Sequence, residues 1–306
     1  MRFTLTLVAL VALGTQAQPP VTPRMPADLS PDERTAITTS VNQLIAIVRR
    51  TPQMAPPSGF AVVPHAFVEI QNFDHSESRR VAYVTADVTA NLAPLVQNGR
   101  GAAMPNERDT AAHVQIKVND LQPLMGSELS LGDDEGTFIE NPPEPVETVH
   151  GFPVFEEGNG QRWIMIRRND VPFFAPVTAE RFARATMAKT ERELAEAQSR
   201  RAKMPAGVPA SIAATVDEAI AGFKDKLAEE QRALAAMSAS ERAAPAHVAD
   251  SAVVYFNPAL MTPGLPRTAP QVLAVGIGAS DAKSDLAAKL DSELDWAALG
   301  QFVHAR

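Results

Sequence analysis

Residues 151–185, "GFPVFEEGNGQRWIMIRRNDVPFFAPVTAERFARA", carry the change of period on which the fold turns. The first half reads as a β-hairpin. Gly158, Asn159 and Gly160 supply the positive φ of a tight turn between apolar runs of matching length. Trp163 and Met165 point to one side of the second run and Ile164 and Ile166 to the other, since successive strand residues alternate. A strand apolar on both faces belongs inside a sheet, with helices over at least one side. Beyond Pro176 the period becomes helical. Thr178 suits an N-cap, Glu180 lies in the first turn, and Val177 and Phe182 occupy the two positions of a hydrophobic staple. Pro172 and Pro176 hold the approach extended, because each restricts the residue before it. Phe173 and Phe174 then point to opposite sides. A rigid joint that aims a helix is the favoured reading over an aromatic ligand site.

Downstream, the helical period runs over 178–204, breaks at "PAGVP" and resumes at Ala210 or Ser211. Val216, Ile220, Phe223, Leu227, Glu230, Leu234 and Met237 follow a 4-3 spacing in which only Glu230 is polar. Ala183, Met187, Thr190, Leu194, Ala197, Arg201 and Met204 form a weaker matching seam. Two narrow seams joined by a short Pro/Gly turn read as an antiparallel, coiled-coil-like α-hairpin over 178–240. Its charged outer surface leaves part of it projecting from the body. "SAVVYF" and "QVLAVGI" are strands that return the chain to the body. "SDAKSDLAAKLDSELDWAALGQFV" is a final amphipathic helix carrying Leu286, Leu290, Leu294 and Leu299.

Upstream, "SPDERTAITTSVNQLIAIVRR" is the clearest helix start. Ser30 and Glu33 make a capping box, Pro31 fits the first helical position, and Ile37, Val41, Leu44, Ile45 and Val48 form one stripe. From Gly59 to Arg168 the alternation is that of strands, as in "FAVVPHAFVEI", "RRVAYVTADVTANL" and "HVQIKVNDL". The expectation is an α+β fold: a mostly antiparallel sheet packed by an N-terminal and a C-terminal helix, with a long α-hairpin inserted near the middle. Residues 30–177 form the body, 241–306 complete it, and one sheet interrupted by the hairpin is favoured over two independent domains.

The chain opens with "MRFTLTLVALVALGTQA", one Arg followed by a short apolar run, with Thr15 and Ala17 as small residues before Gln18. This reads as a signal peptide over 1–17, cut between Ala17 and Gln18, followed by a Pro-rich linker over 18–29. The expectation is an exported, soluble protein of the periplasm or medium, with no membrane span in the mature chain. There is no cysteine among 306 residues, so stability comes from a core rather than disulfides. The net charge of −8 loses one more positive unit with the leader, which disfavours nucleic-acid partners. Two Trp and two Tyr argue mildly against a carbohydrate module built on stacking platforms.

No cluster carries chemistry by spacing alone. The six histidines are far apart, and none forms a helical metal pair. His75 lies in "NFDHSES", where adjacent Asp, His and Ser point in different directions along an extended chain; a polar turn is the plainer reading. Whether His75, His113 or His150 share a cleft is a question for the fold. "GDDEG" offers Asp133, Asp134 and Glu135 as calcium candidates, but Gly136 arrives too early for an EF-hand, and a solvated turn competes. "AVGIGASD" lacks the third glycine of a dinucleotide fingerprint. No cofactor is expected. Paired carboxylates for glycoside hydrolysis remain open, since their separation exists only in three dimensions.

"VPFFAPVTAERFARA", "YFNPALMTPGLPRTAPQVLAV" and "LDWAALGQFV" together resemble a type of uncharacterised exported bacterial protein with an aromatic-Pro-Val-Thr strand-to-helix segment. The resemblance covers mainly the C-terminal half and implies architecture, with no activity to transfer. Without a catalytic constellation, a non-catalytic binding protein that meets another protein or an envelope component is preferred. The alternative is a hydrolase of cell-envelope or extracellular material, with carboxylates and histidine converging in the fold.

Overall fold

The computed structural model describes residues 20–304 except 55–59, 73–81, 98, 100–102, 107, 126, 134–135, 159, 206 and 282–284. The expected leader over 1–17 and its expected cut between Ala17 and Gln18 lie outside the described residues. Helix α1 (Pro31–Arg49) leads to a long hairpin, β1 (Phe60–Asn72) and β2 (Ala82–Gln97), then β3 (Ala103–Pro105) and β4 (Ala112–Val118). A second hairpin, β5 (Ser127–Asp133) and β6 (Gly136–Glu140), precedes the meander β7 (Glu147–Val149), β8 (Phe152–Glu156) and β9 (Arg162–Arg167). Next come β10 (Phe174–Pro176), α2 (Ala179–Ala202), α3 (Ala210–Ala236) and α4 (Ala239–Ala243). The chain ends with β11 (His247–Val248), β12 (Ser251–Phe256), β13 (Val272–Ala279), α5 (Leu286–Glu293) and α6 (Trp296–His304).

The fold is α+β with antiparallel sheets. The expected single sheet is two. The larger runs β1-β2-β4-β13-β9-β8-β7, with β3 on β2; the smaller runs β10-β12-β6-β5, with β11 on β12. The Pro-rich segment between β12 and β13 sends these two neighbours to different sheets. Both strands are apolar, so their alternation carries no information about which sheet each joins.

Strand β9 is interior, as its two apolar faces require. Ile164 and Ile166 face a core shared with α1, α5 and α6, where Val41, Leu44, Leu290 and Leu299 are buried. Trp163 and Met165 face the smaller sheet, together with Phe155, Ile139, Val254 and Phe256. Beyond the smaller sheet, Phe138, Val253 and Val177 receive Ala185 and Phe182 of α2. The layers are therefore helices, large sheet, small sheet and the root of α2.

The joint between strand and helix is packed. Phe173 meets Phe155 edge-on at 5.5 Å, Phe174 stacks on Phe256 at 5.3 Å, and the Arg167 guanidinium lies 4.8 Å from the Phe173 ring. Thr178 accepts from the Arg181 backbone N–H as N-cap of α2. The predicted final helix is broken. Leu294 takes an extended conformation, and the Asp295 carboxylate accepts from the Ala298 N–H at 3.0 Å, capping α6 anew. The break turns both Leu294 and Trp296 into the core.

Asn119 closes the large sheet. Fully buried, with φ 53°, it follows β4 in a left-handed conformation that Asn tolerates better than most residues. Its side-chain amide donates to Val84 O (3.3 Å) and Ala269 O (2.9 Å), and its oxygen accepts from Gln271 N (2.8 Å) and Val272 N (3.3 Å). Asn119→Ala would strand four buried backbone groups. It is expected to lower the unfolding free energy by about 3 kcal/mol, measured by urea denaturation.

Nearby, Arg267 grips Glu33 at 2.6 and 3.2 Å, while Glu33 also accepts from the Ser30 N–H of its capping box. The Arg267 hydrogen bond, followed by that from the Ser30 backbone, lowers the Glu33 pKa to about 2. A depressed carboxyl adds stability above its ordinary range and loses it as pH falls toward the folded value. Thermal stability should therefore drop on acidification from about pH 5 to about pH 2, with a shallower slope in Glu33→Gln.

Candidate functional site

The two faces of the large sheet differ in chemistry. Val84, Ala86, Val88, Ala90 and Leu92 of β2 and Val114, Ile116 and Val118 of β4 are buried under the helices. Their alternate neighbours are polar. The register sets His65, Thr89, Gln115 and Gly276 in one row across β1, β2, β4 and β13. Phe67, Asp87, Lys117 and Ala274 form the next row; Glu69 faces Thr85 on one flank, and Asn91, His113 and Gly278 line up on the other. The apolar residues of the smaller sheet meet β8, β9 and β13, so the polar part of the face stands beside that sheet rather than beneath its core.

The side chains of this face orient one another. Gln115 Nε2 donates to Asp87 Oδ2 at 2.6 Å, and Thr89 Oγ1 donates to Asp87 Oδ1 at 3.2 Å. Gln71 Nε2 donates to Thr85 Oγ1 at 3.0 Å. Lys117 Nζ donates to Gln122 Oε1 at 2.9 Å, lies 3.7 Å from Asp120 and sits 5.2 Å from the Trp163 ring. His65, Phe67 and Glu69 are exposed on β1. The arrangement supplies donors, acceptors and charges of both signs around one exposed aromatic ring.

The glycines of "AVGIGASD" have a packing role on this face. A Cβ at Gly276 would lie 2.9 Å from the Trp163 ring and from Gln161 Nε2, and one at Gly278 would lie 2.5 Å from His113 Cε1. Both rings rest on bare β13 backbone, a close approach that glycine permits. Burial pushes the His113 imidazole below its ordinary value.

Among the described residues the histidines do not converge. His150, with φ 53° in the β7–β8 turn, stacks on Trp296 at 4.8 Å and lies 3.4 Å from Asp291. That places it on the helix side, across the sheet from His113. His75 lies outside the described residues, as do Asp134 and Glu135. Asp133 is held at both oxygens by Arg181, at 2.5 and 2.7 Å, and Arg181 also stacks 3.8 Å from the Tyr255 ring. An arginine fork on the carboxylate repels a cation there. Among the described residues no group of three or more His, Asp or Glu could hold a metal. A small cavity between α1 and the sheet, lined by Ile37, Val41, Leu44, Val84 and Val118, offers no ionisable group.

Sequence reading missed Glu69, Asp87, Gln115 and Lys117. Their signal was the polar half of each alternation, which a solvated sheet face also produces. Gly278→Ala should push the His113 ring off the strand and out toward water. The expected result is a His113 titration that moves up toward the ordinary imidazole range, followed by NMR, with a lower melting temperature. Comparisons with protein-family models, with characterised proteins and with solved structures found no match.

Proposed function

We propose that this chain is an exported protein of the cell envelope that works by binding rather than catalysis, with α2 and α3 as an arm that meets another protein or an envelope component. One observation carries this reading: α3 runs 27 residues without a buried side chain. It packs chiefly on α2, whose only buried residues are Ala185 and Thr190. On the α3 side of the pair, Ala213, Val216, Ile220, Phe223, Leu227, Glu230, Leu234 and, just past the helix end, Met237 are half-buried. Arg201 grips Asp217 at 2.7 Å, and Thr190 donates to Glu230 at 3.1 Å, a polar contact in an apolar seam that can fix register. So long an element adds little to the core, and interaction is a reason for it to be kept. The leader-like opening supports export. No described helix is long and apolar enough to cross a membrane.

Arg181 roots the arm, and Thr178 pairs with Pro245, so both ends of the arm return to one place. Excising 192–228 and closing the gap with a short Gly/Ser loop should leave the body folded. Expressed with its leader, the chain is expected in the periplasmic or secreted fraction, starting at Gln18 by mass spectrometry. The excised form should lose the partners that crosslink to the whole chain. An unchanged set of crosslinked partners would refute the arm's role.

The hydrolase reading is favoured by one feature. Glu69 and Asp87 are diagonal neighbours across β1 and β2. Sheet geometry sets such diagonal neighbours about 7–8 Å apart, their Cβ atoms somewhat closer, a spacing from which two carboxyl groups can reach the separation used in inverting glycoside hydrolysis. Exposed His65 is also diagonal to Asp87.

A further inference from the structure

The geometry points to the polar face of β1, β2 and β4 as a binding site for a neutral glycan chain, with Phe67 as its apolar platform and Asp87, Thr89, Gln115 and His65 as its hydrogen-bonding set. The site is separate from the arm and does not depend on it.

Three features select this ligand. The first is shape: the groups stand on adjacent strands of one sheet, spaced about 4.8 Å across strands and about 6.8 Å along them. That is a rigid grid on the scale of one or two sugar rings. The second is hydrogen bonding. Asp87 is pre-set by Gln115 and Thr89, each on a different oxygen, and each oxygen can accept one further bond. Gln115 spends an N–H on Asp87 and keeps its carbonyl oxygen as an acceptor, while exposed His65 supplies a donor; Lys117, its side chain only 12 % exposed and held by Gln122 and Asp120, sits behind them. A ligand that gives and takes hydrogen bonds from neighbouring atoms of one ring matches this set, as vicinal hydroxyls do.

The third feature is charge and apolar surface. Glu69 and Asp87 are interleaved with Lys117 and with Arg24, whose guanidinium lies 5.8 Å from the Phe67 ring. A polyanion would meet the two carboxylates, and a polycation would meet Lys117 and Arg24. A neutral chain meets neither penalty. Phe67 is 43 % exposed, an apolar surface at the β1 end of a polar row, with the Arg24 guanidinium over part of its ring and the rest left to water. It suits the C–H face of a sugar ring. A single phenylalanine platform flanked by a carboxylate and an amide also calls on none of the two Trp and two Tyr of this chain.

The test is calorimetric titration of the full mature chain with chitotetraose and, separately, cellotetraose. Binding of at least one, with Kd below about 1 mM, is expected. Phe67→Ala and Asp87→Asn should each weaken it by about tenfold or more. Phe67 is exposed, so its variant should melt like the parent and separates recognition from folding. No binding of either sugar up to about 10 mM, or parental affinity in both variants, overturns the proposal. If the parent also releases reducing ends and Glu69→Gln does not, the glycan site stands and the non-catalytic reading falls. If the arm excision removes crosslinked partners but leaves sugar binding intact, the two surfaces act independently, as the site's separation from the arm requires.

Discussion

Asn119 is the residue on which the large sheet depends. β13 enters that sheet between β4 and β9, some 150 residues after β4 has formed its pairing with β2. The two parts must meet at a place where β4 ends and its backbone turns. A left-handed residue there ends the strand, and an amide side chain, with two donors and an acceptor, serves the groups that the turn leaves over. Val84, Ala269, Gln271 and Val272 thus share one side chain, and the Asn119 N–H returns a bond to Val272 O. Glu33 and Arg267 work beside it, fastening α1 to the same connection.

The insertion of β13 also determines what the polar face can be. Its glycines let Trp163 and His113 lie on the backbone, which lowers that side of the face and leaves the taller side chains of β1, β2 and β4 beside it. The smaller sheet covers the apolar portion and stops where the polar rows begin. One sheet therefore has a helix-covered face that stabilises and a second face divided between packing and hydrogen-bonding groups. On the far side of the smaller sheet, Arg181 joins Asp133, Phe138 and Tyr255 and gives α2 a rigid root. A carboxylate that sequence suggested for calcium is there a structural partner of arginine.

Binding by the arm and recognition by the polar face are compatible roles. They lie on different elements: α2 with α3 in one case, β1, β2 and β4 in the other. On the two proposals, a protein that holds a glycan with one surface and a second component with another would connect the two. Diagonal Glu69 and Asp87 keep hydrolysis as the competing chemistry of the same face, because binding and cleaving a glycan draw on the same hydroxyl-reading groups.

Local features were legible in sequence because they depend on neighbours in the chain. The capping box of Ser30 and Glu33, the N-cap at Thr178, the two-faced strand at Trp163 to Ile166 and the α+β class all follow from spacing. The break at Leu294 escaped, since an apolar stripe passes through it and only the Asp295 cap marks it. Register was beyond the sequence altogether. Nothing in residues 60–118 says that Phe67 stands opposite Asp87, or that Gln115 reaches that carboxylate, because a strand's alternation names its faces but not its partners. The sequence by itself determined the two faces of a strand such as β9 and where α1 and α2 begin. Only the tertiary structure decided that two sheets form and that one of them gathers an aromatic ring, two carboxylates, an amide and a lysine on a single face. Those groups come from separate strands, and long-range hydrogen-bonded pairing alone brings them together.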